Sequence, residues 1–281
     1  MSLLQCTSTI ARSVLSPHFR SLTTTAARMG RLTGKNVFVT GASAGIGAAC
    51  ALEFAKEGSN LYIAARRTEK LAELQQKIKE VAPSVTVTPI QLDIRDRAQV
   101  FATLQPLDID VLVNNAGLVI GVDSIETVSE EAVETMLETN VKGLLWATQA
   151  SLPRMKKRQV GHIINVSSIS GREVYPGGGV YCASKHAVDA LTRTLRMELY
   201  DTPINVTSVD PGLVETEFSI VRFRGDKAKA DSVYKGMSPL TPSDVAETVV
   251  FAASRPPHVQ VASVLLLPSA QASATMVSRK A

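Results

Sequence analysis

Five tyrosines occur in the chain, at 62, 175, 181, 200 and 234, and only Tyr181 is followed four residues later by a lysine, Lys185. On a helix that interval places both side chains on one face. A free tyrosine hydroxyl ionises near pH 10 and is a poor proton acceptor at neutrality. A cation about 4 Å away, at an effective dielectric of about 20, favours the phenolate by roughly 4 kcal/mol, or about three pK units. Lys185 can therefore draw Tyr181 toward the neutral range and equip it for acid–base work. The same spacing also describes ordinary helix-surface pairs, so the assignment depends on what stands beside it.

Ser168 follows the apolar run HIINVS, thirteen residues before Tyr181, where its hydroxyl can hydrogen-bond an oxygen that shares a proton with the phenol. Asn140 sits inside the helical segment ETMLETNVKGLL. Asparagine is a poor interior helix residue, and a local break in which its amide holds a water would account for it. The segment NNAG, residues 114–117, ends another apolar run and puts Asn114 at the same edge.

A second constellation opens the chain's regular part. TGASAGIG, residues 40–47, lies between the run NVFVT and the helical run AACALEFAKEG, with Gly41, Gly45 and Gly47 spaced GxxxGxG. Such glycines let backbone turn sharply and let a pyrophosphate approach the amides of a helix N-terminus. After a strand and before a helix, the pattern points to dinucleotide binding. The next apolar run ends in Ala65, Arg66 and Arg67, some 18 to 20 residues beyond Gly47. An acidic residue there would accept the adenosine 2′-hydroxyl, whereas arginines favour a 2′-phosphate. NADP is the expected cofactor, and its oxidised nicotinamide ring would add a second positive charge near Tyr181.

These groups need a scaffold that brings them to one edge. Apolar runs recur at 36–40, 60–65, 85–90, 110–115, 162–167, 204–209 and 261–267, with amphipathic segments between them. Strands apolar on both sides and alternating with helices predict an α/β fold: a single doubly wound, Rossmann-like parallel sheet with helices on both faces. No linker interrupts the alternation, so residues 32–281 are expected to form one domain. Within it, 211–241 departs from the rhythm and reads either as a lid over the carboxyl ends of the strands or as a connecting helix pair. Residues 1–31 contain four arginines and no acid, leaving 26 basic and 26 acidic groups in the remainder. That leader has the composition of an import presequence, which predicts the mitochondrial matrix. The alternatives are a disordered extension, or translation from Met29 and a cytoplasmic enzyme. A charge-balanced body argues against nucleic-acid binding, and no apolar run is long enough to span a membrane. Cys6, Cys50 and Cys182, and the four histidines, are scattered, so neither a disulfide nor a metal site is expected.

The ordered set TGxxxGIG, NNAG, Asn, Ser, YxxxK and PG resembles the short-chain dehydrogenase/reductase family from about Gly34 to the C-terminus. The resemblance implies that Tyr181 is the acid/base, that Lys185 lowers its pKa and holds the cofactor ribose, and that Ser168 orients the substrate. It further implies that Asn140 anchors a water relaying protons from Lys185. Gly41, Ser43, Ile46, Asp93, Asn115, Pro211 and Thr216 match cofactor-contacting positions, with Gly212 and Val214 in the same segment. Asp93 would meet the adenine and Thr216 the nicotinamide carboxamide.

The stretches GLVETEFSIVRFRGD and VYKGMSPLTPSDVAE are similar to those of NADP-dependent 3-hydroxy acid dehydrogenases acting on serine, allo-threonine and related short acids. The implied substrate is a small hydroxy acid or its carbonyl counterpart, and Arg172, Arg222 or Arg224 can pair with its carboxylate. Two other readings stay open: a broad carbonyl or 3-oxoacyl reductase, and a non-catalytic NADPH-sensing scaffold. Family members are mostly tetramers or dimers, which predicts a homotetramer or homodimer built through helices at 126–150 and 180–200.

Overall fold

The computed structural model describes residues 30–280. The proposed leader, with Cys6 and His18, lies outside these residues up to position 29. The chain runs through β1 (Asn36–Thr40), α1 (Gly45–Lys56), β2 (Asn60–Ala65), α2 (Thr68–Val81), β3 (Val87–Gln91), α3 (Arg97–Leu104) and β4 (Val111–Asn114). It continues with α4 (Glu130–Leu137), a π-helical stretch (Glu138–Gly143), α5 (Leu144–Arg158), β5 (Gly161–Val166) and α6 (Gly179–Glu198). The last part holds β6 (Ile204–Pro211), α7 (Phe218–Arg222), α8 (Lys227–Ser232), α9 (Pro242–Ala253) and β7 (Ser263–Leu266).

The seven strands form one sheet in the order β3-β2-β1-β4-β5-β6-β7, every neighbouring pair parallel. The alternation of side chains along each strand divides the interior into two layers. Val37, Val39, Val111 and Val113 face Phe54, Leu71 and Val245 on one side. Phe38, Leu112 and Ile163 face Val100, Ala147 and Met155 on the other. This two-sided burial is why the strands read as continuous apolar runs rather than as alternating ones. Strand order reverses between β1 and β4, which opens a crevice at the carboxyl ends of the strands.

The third strand begins two residues later than its apolar run suggests. Ladder pairing starts at Val87 opposite Leu61, and the Thr86 amide instead donates to the Asn60 side chain at 3.0 Å. Pro89 is tolerated within β3 because this is an edge strand. In α2 only Leu71, Leu74 and Ile78 are buried, a single stripe against the sheet. The segment 211–241 is a pair of short helices, α7 and α8, closed at its base by the bridge Val214–Leu240. No helix among the described residues is long and apolar enough to cross a membrane.

Candidate active site

The glycine loop after β1 is held against the loop after β4 by a shared set of hydrogen bonds. Thr40 Oγ1 accepts the amides of Asn115 and Ala116, each at 3.0 Å, and Asn115 Nδ2 donates to the carbonyls of Thr40 at 3.0 Å and Gly41 at 3.3 Å. Gly41 has a φ of +67°, and a Cβ there would stand 2.9 Å from Ala116 Cα. Gly47 serves packing: a Cβ would lie 2.4 Å from the Gly41 carbonyl oxygen. No side chain caps the first turn of α1, so its amide hydrogens remain directed at the crevice, as an anion requires. Asn114 turns inward, donating to Thr148 and Asn165 in a buried network beneath the site.

A cleft of about 740 Å³ runs along this edge from Arg66 and Asp93 at one end to Tyr181 and Arg222 at the other. Gly41, Ser43, Gly45, Ile46, Asn115, Pro211, Gly212, Val214 and Thr216 all line it, as do Ser168 and Lys185. Arg67 is engaged: its guanidinium donates to Ser43 Oγ at 3.1 Å and pairs with Glu217 at 3.0 Å. Arg66, its neighbour, has no carboxylate partner among the described residues and faces the same end. Asp93 pairs with Arg95 at 2.6 Å, and that hydrogen bond holds its carboxyl below the usual range.

The opposite end is built by β5, α6 and α7. Ser168 follows β5 and accepts the Ser170 amide at 3.1 Å, and its hydroxyl faces the Tyr181 phenol. Tyr181 and Lys185 lie one turn apart near the start of α6, both buried. Phe218 of α7 closes edge-on over the Tyr181 ring with centroids 5.7 Å apart. Lys185 Nζ donates to the Val166 carbonyl at 3.0 Å and stands 5.9 Å from the Tyr181 ring centroid.

Burial works against the lowering expected of Tyr181 from Lys185 together with an oxidised nicotinamide ring. Burial pushes the Tyr181 phenol above its ordinary value, with Ser168 opposing. Burial also lowers Lys185 to about 8, with Asp210 opposing. Both shifts have one cause: in a dry site the charged form of either group loses its hydration. Burial thus favours the neutral phenol, and the positive charges of Lys185 and an oxidised nicotinamide ring would act against it.

Asn140 occupies the π-helical stretch and is buried behind the cleft rather than lining it. Its Nδ2 donates to the Leu118 carbonyl at 2.8 Å and to Ser184 Oγ at 3.0 Å, while Oδ1 accepts the Leu118 amide at 2.8 Å. The amide donors are thus fully engaged in fixing the loop after β4 to α6. Water binding by that amide, expected from sequence, would need the remaining lone pair on Oδ1 or the helix break's own carbonyls.

The short chain dehydrogenase family profile matches residues 35–226, most of the chain and all the elements that carry these groups. The chain belongs to the short chain dehydrogenase family. It is 46% identical over 258 residues to an NADP-dependent 3-hydroxy acid dehydrogenase of Schizosaccharomyces pombe, covering 90% of this chain and 99% of that one. It is 41% identical over 241 residues to the NADP-dependent 3-hydroxy acid dehydrogenase YdfG of Escherichia coli, covering 84% and 95%. A solved closed form of serine dehydrogenase complexed with NADP+ superposes with a TM-score of 0.81 at 40% identity, covering 88% of this chain and all of that one.

Several cleft residues of this short chain dehydrogenase escaped the motif reading. Ser170, Tyr175, Phe218 and Tyr234 line the reacting end, and Gln271, Ala274 and Thr275 reach it from beyond β7. Neither Tyr175 nor Tyr234 is followed four residues later by a lysine to mark it. Gln271 accepts the Leu213 amide at 2.8 Å and the Ala274 amide donates to Glu173 at 2.7 Å, contacts that hold the C-terminal residues at the site. No cluster able to hold a metal exists among the described residues. His162 is buried against Thr207, and burial holds it down at about 4.

Proposed function

We propose that this chain is an NADP-dependent dehydrogenase that oxidises the β-hydroxyl of short 3-hydroxy acids, L-serine and L-allo-threonine among them, and reduces the corresponding carbonyls. The observation that carries the reading is the pairing, along one cleft, of an unpartnered Arg66 at the adenosine end with Tyr181 and Ser168 at the reacting end. The cleft's fit to a dinucleotide rests on the left-handed Gly41 and on the uncapped first turn of α1. Arg66 and Arg67 would hold the 2′-phosphate, Asn115 and the glycine loop the adjoining backbone, and Lys185 the ribose next to the nicotinamide.

Bound NADP+ supplies the acceptor for the hydride leaving the hydroxyl-bearing carbon. Tyr181 Oη takes the hydroxyl proton in oxidation and returns it in reduction. Ser168 Oγ donates to the substrate oxygen and fixes it beside the phenol. Lys185 supplies positive charge to the same enclosed space, and Asn140 fixes the loop that faces it. Phe218 excludes water from the Tyr181 ring.

The test is an initial-rate panel of 3-hydroxy acids with NADP+ and with NAD+. Oxidation of L-serine or 3-hydroxypropionate with NADP+ strongly preferred is the expected result; comparable kcat/KM for the two cofactors refutes the role of Arg66 and Arg67. Residues 1–31 are proposed to direct import, which fusion of that segment to a fluorescent protein tests. A homotetramer or homodimer is proposed through the helices at 126–150 and 180–200, supported by the exposure of Met197 and Tyr200 at the end of α6; the solution mass by light scattering tests it.

A further inference from the structure

Arg172, Arg222 and Arg224 all belong to segments near the reacting end, and their partners separate them. Arg172 Nε donates to the buried Asp210 at 2.8 Å, and Arg224 pairs with Asp123 at 2.7 Å. Neither lines the cleft. Arg222 does, and no carboxylate lies within 4.0 Å of its guanidinium among the described residues. Its Nε is buried without a hydrogen-bond partner. A half-buried cation left in this state retains its demand for an anion.

Local structure aims it. Phe218 and Arg222 are four residues apart on α7 and so share a face. Phe218 rests on Tyr181, and the Arg222 Cζ lies 5.2 Å from the centroid of Tyr175, whose hydroxyl faces both Ser170 and Arg222. The Arg222 carbonyl accepts the Gly121 amide at 2.8 Å, which anchors this end of α7 to the loop after β4. A guanidinium stacked on a ring keeps its in-plane N–H edges for a planar anion.

We infer that Arg222 is the carboxylate anchor of the site, gripping the substrate's carboxylate through paired N–H donors and so placing its β-hydroxyl against Tyr181. This rests on reading the cleft as a 3-hydroxy acid dehydrogenase site. Substrate choice then follows from charge: a neutral alcohol lacks half of its binding.

The test compares wild type, Arg222→Met and Arg222→Lys on 3-hydroxypropionate and on its methyl ester, with NADPH affinity measured by fluorescence. Arg222→Met should lower kcat/KM for the acid by about 100-fold, mainly through KM, as expected for loss of a buried charge pair. The ester's kcat/KM and the NADPH affinity should stay within about 3-fold of wild type, the change of a lost neutral contact. Arg222→Lys, which keeps the charge and loses the fork, should recover part of the acid activity and leave the ester's as it was. Equal loss on acid and ester, or no loss on the acid, overturns the assignment. Propanoate binding to the NADP+-loaded enzyme, followed by calorimetry, separates this inference from the functional reading. If wild type oxidises no hydroxy acid yet binds propanoate and Arg222→Met does not, the anchor stands and the proposed function falls. If hydroxy acids are oxidised but the acid-to-ester ratio ignores Arg222, the function stands and the anchor falls.

Discussion

The two ends of the cleft each present an arginine that no carboxylate pairs among the described residues, in opposite surroundings. Arg66 projects from the end of β2 and is exposed, so its charge is hydrated and its attraction for a phosphate is screened. Arg222 is half-buried between aromatic rings, with Nε shut away from any partner. Exposed cations suit a ligand that carries many other contacts, as a dinucleotide does. An enclosed cation suits a small ligand that must gain most of its binding from one ion pair. Glu217, at the start of α7, ties the two ends together through its ion pair with Arg67.

The largest effect expected belongs to the reacting end alone. Tyr181→Phe should reduce turnover by about 1,000-fold, within the range for loss of an acid–base group, while NADPH affinity measured by fluorescence titration stays unchanged. Loss of cofactor binding together with turnover would mean that the two ends are not separable.

The next concerns the ammonium enclosed between them. Lys185 has a folded value of about 8 against an ordinary 10.5. Between these pH values the unfolded chain binds more protons than the folded one, so stability rises with pH across that window. Below about 8 the buried charge costs roughly 3 kcal/mol, the shift expressed as free energy. Above pH 10 the raised Tyr181 reverses the trend, because the unfolded chain then releases a proton that the folded one keeps. Lys185→Met should flatten the rise between pH 8 and 10 in urea unfolding of the cofactor-free protein. An unchanged slope would show that Lys185 is not the group responsible.

At the adenosine end, Arg66→Ala should weaken kcat/KM for NADP+ by about 30-fold, the loss of roughly 2 kcal/mol of charge-assisted hydrogen bonding, and leave NAD+ kinetics as they were. Arg67→Ala should do less, since its guanidinium already serves Glu217 and Ser43. A larger effect from Arg67 than from Arg66 would reverse the ranking of the two. The smallest change expected is from Glu217→Gln, which removes an exposed competing carboxylate. It should tighten NADP+ by about 2-fold, in keeping with the weight of an exposed ion pair, and isothermal titration reads it directly.

Much of this arrangement is legible in the sequence, for definite reasons. The glycine loop, the arginines after β2, Ser168 and the Tyr181–Lys185 pair each sit at the end of a strand or one turn into a helix, where local spacing dictates position. Asn140 was legible as a break because asparagine is out of place in a helix interior, and the π-helical stretch is that break. What its amide does was not legible, because Leu118 and Ser184 come from distant parts of the chain. What burial does to the phenol was not legible for a related reason. Spacing announces the neighbouring lysine but not the burial that raises the tyrosine and lowers the lysine together.

By itself, the sequence determined the sheet, its two-sided burial, the crevice at the strand ends and the groups that local geometry delivers there. Those depend on patterns a few residues long, read by the short-range sterics of strands, turns and helices. Only the tertiary structure decided among three arginines, giving Arg172 to Asp210, Arg224 to Asp123 and Arg222 to the cleft. It likewise brought Gln271 and Thr275 to the site. Charged side chains choose partners by distance and desolvation in three dimensions, and neither quantity is written in the spacing of residues along a chain.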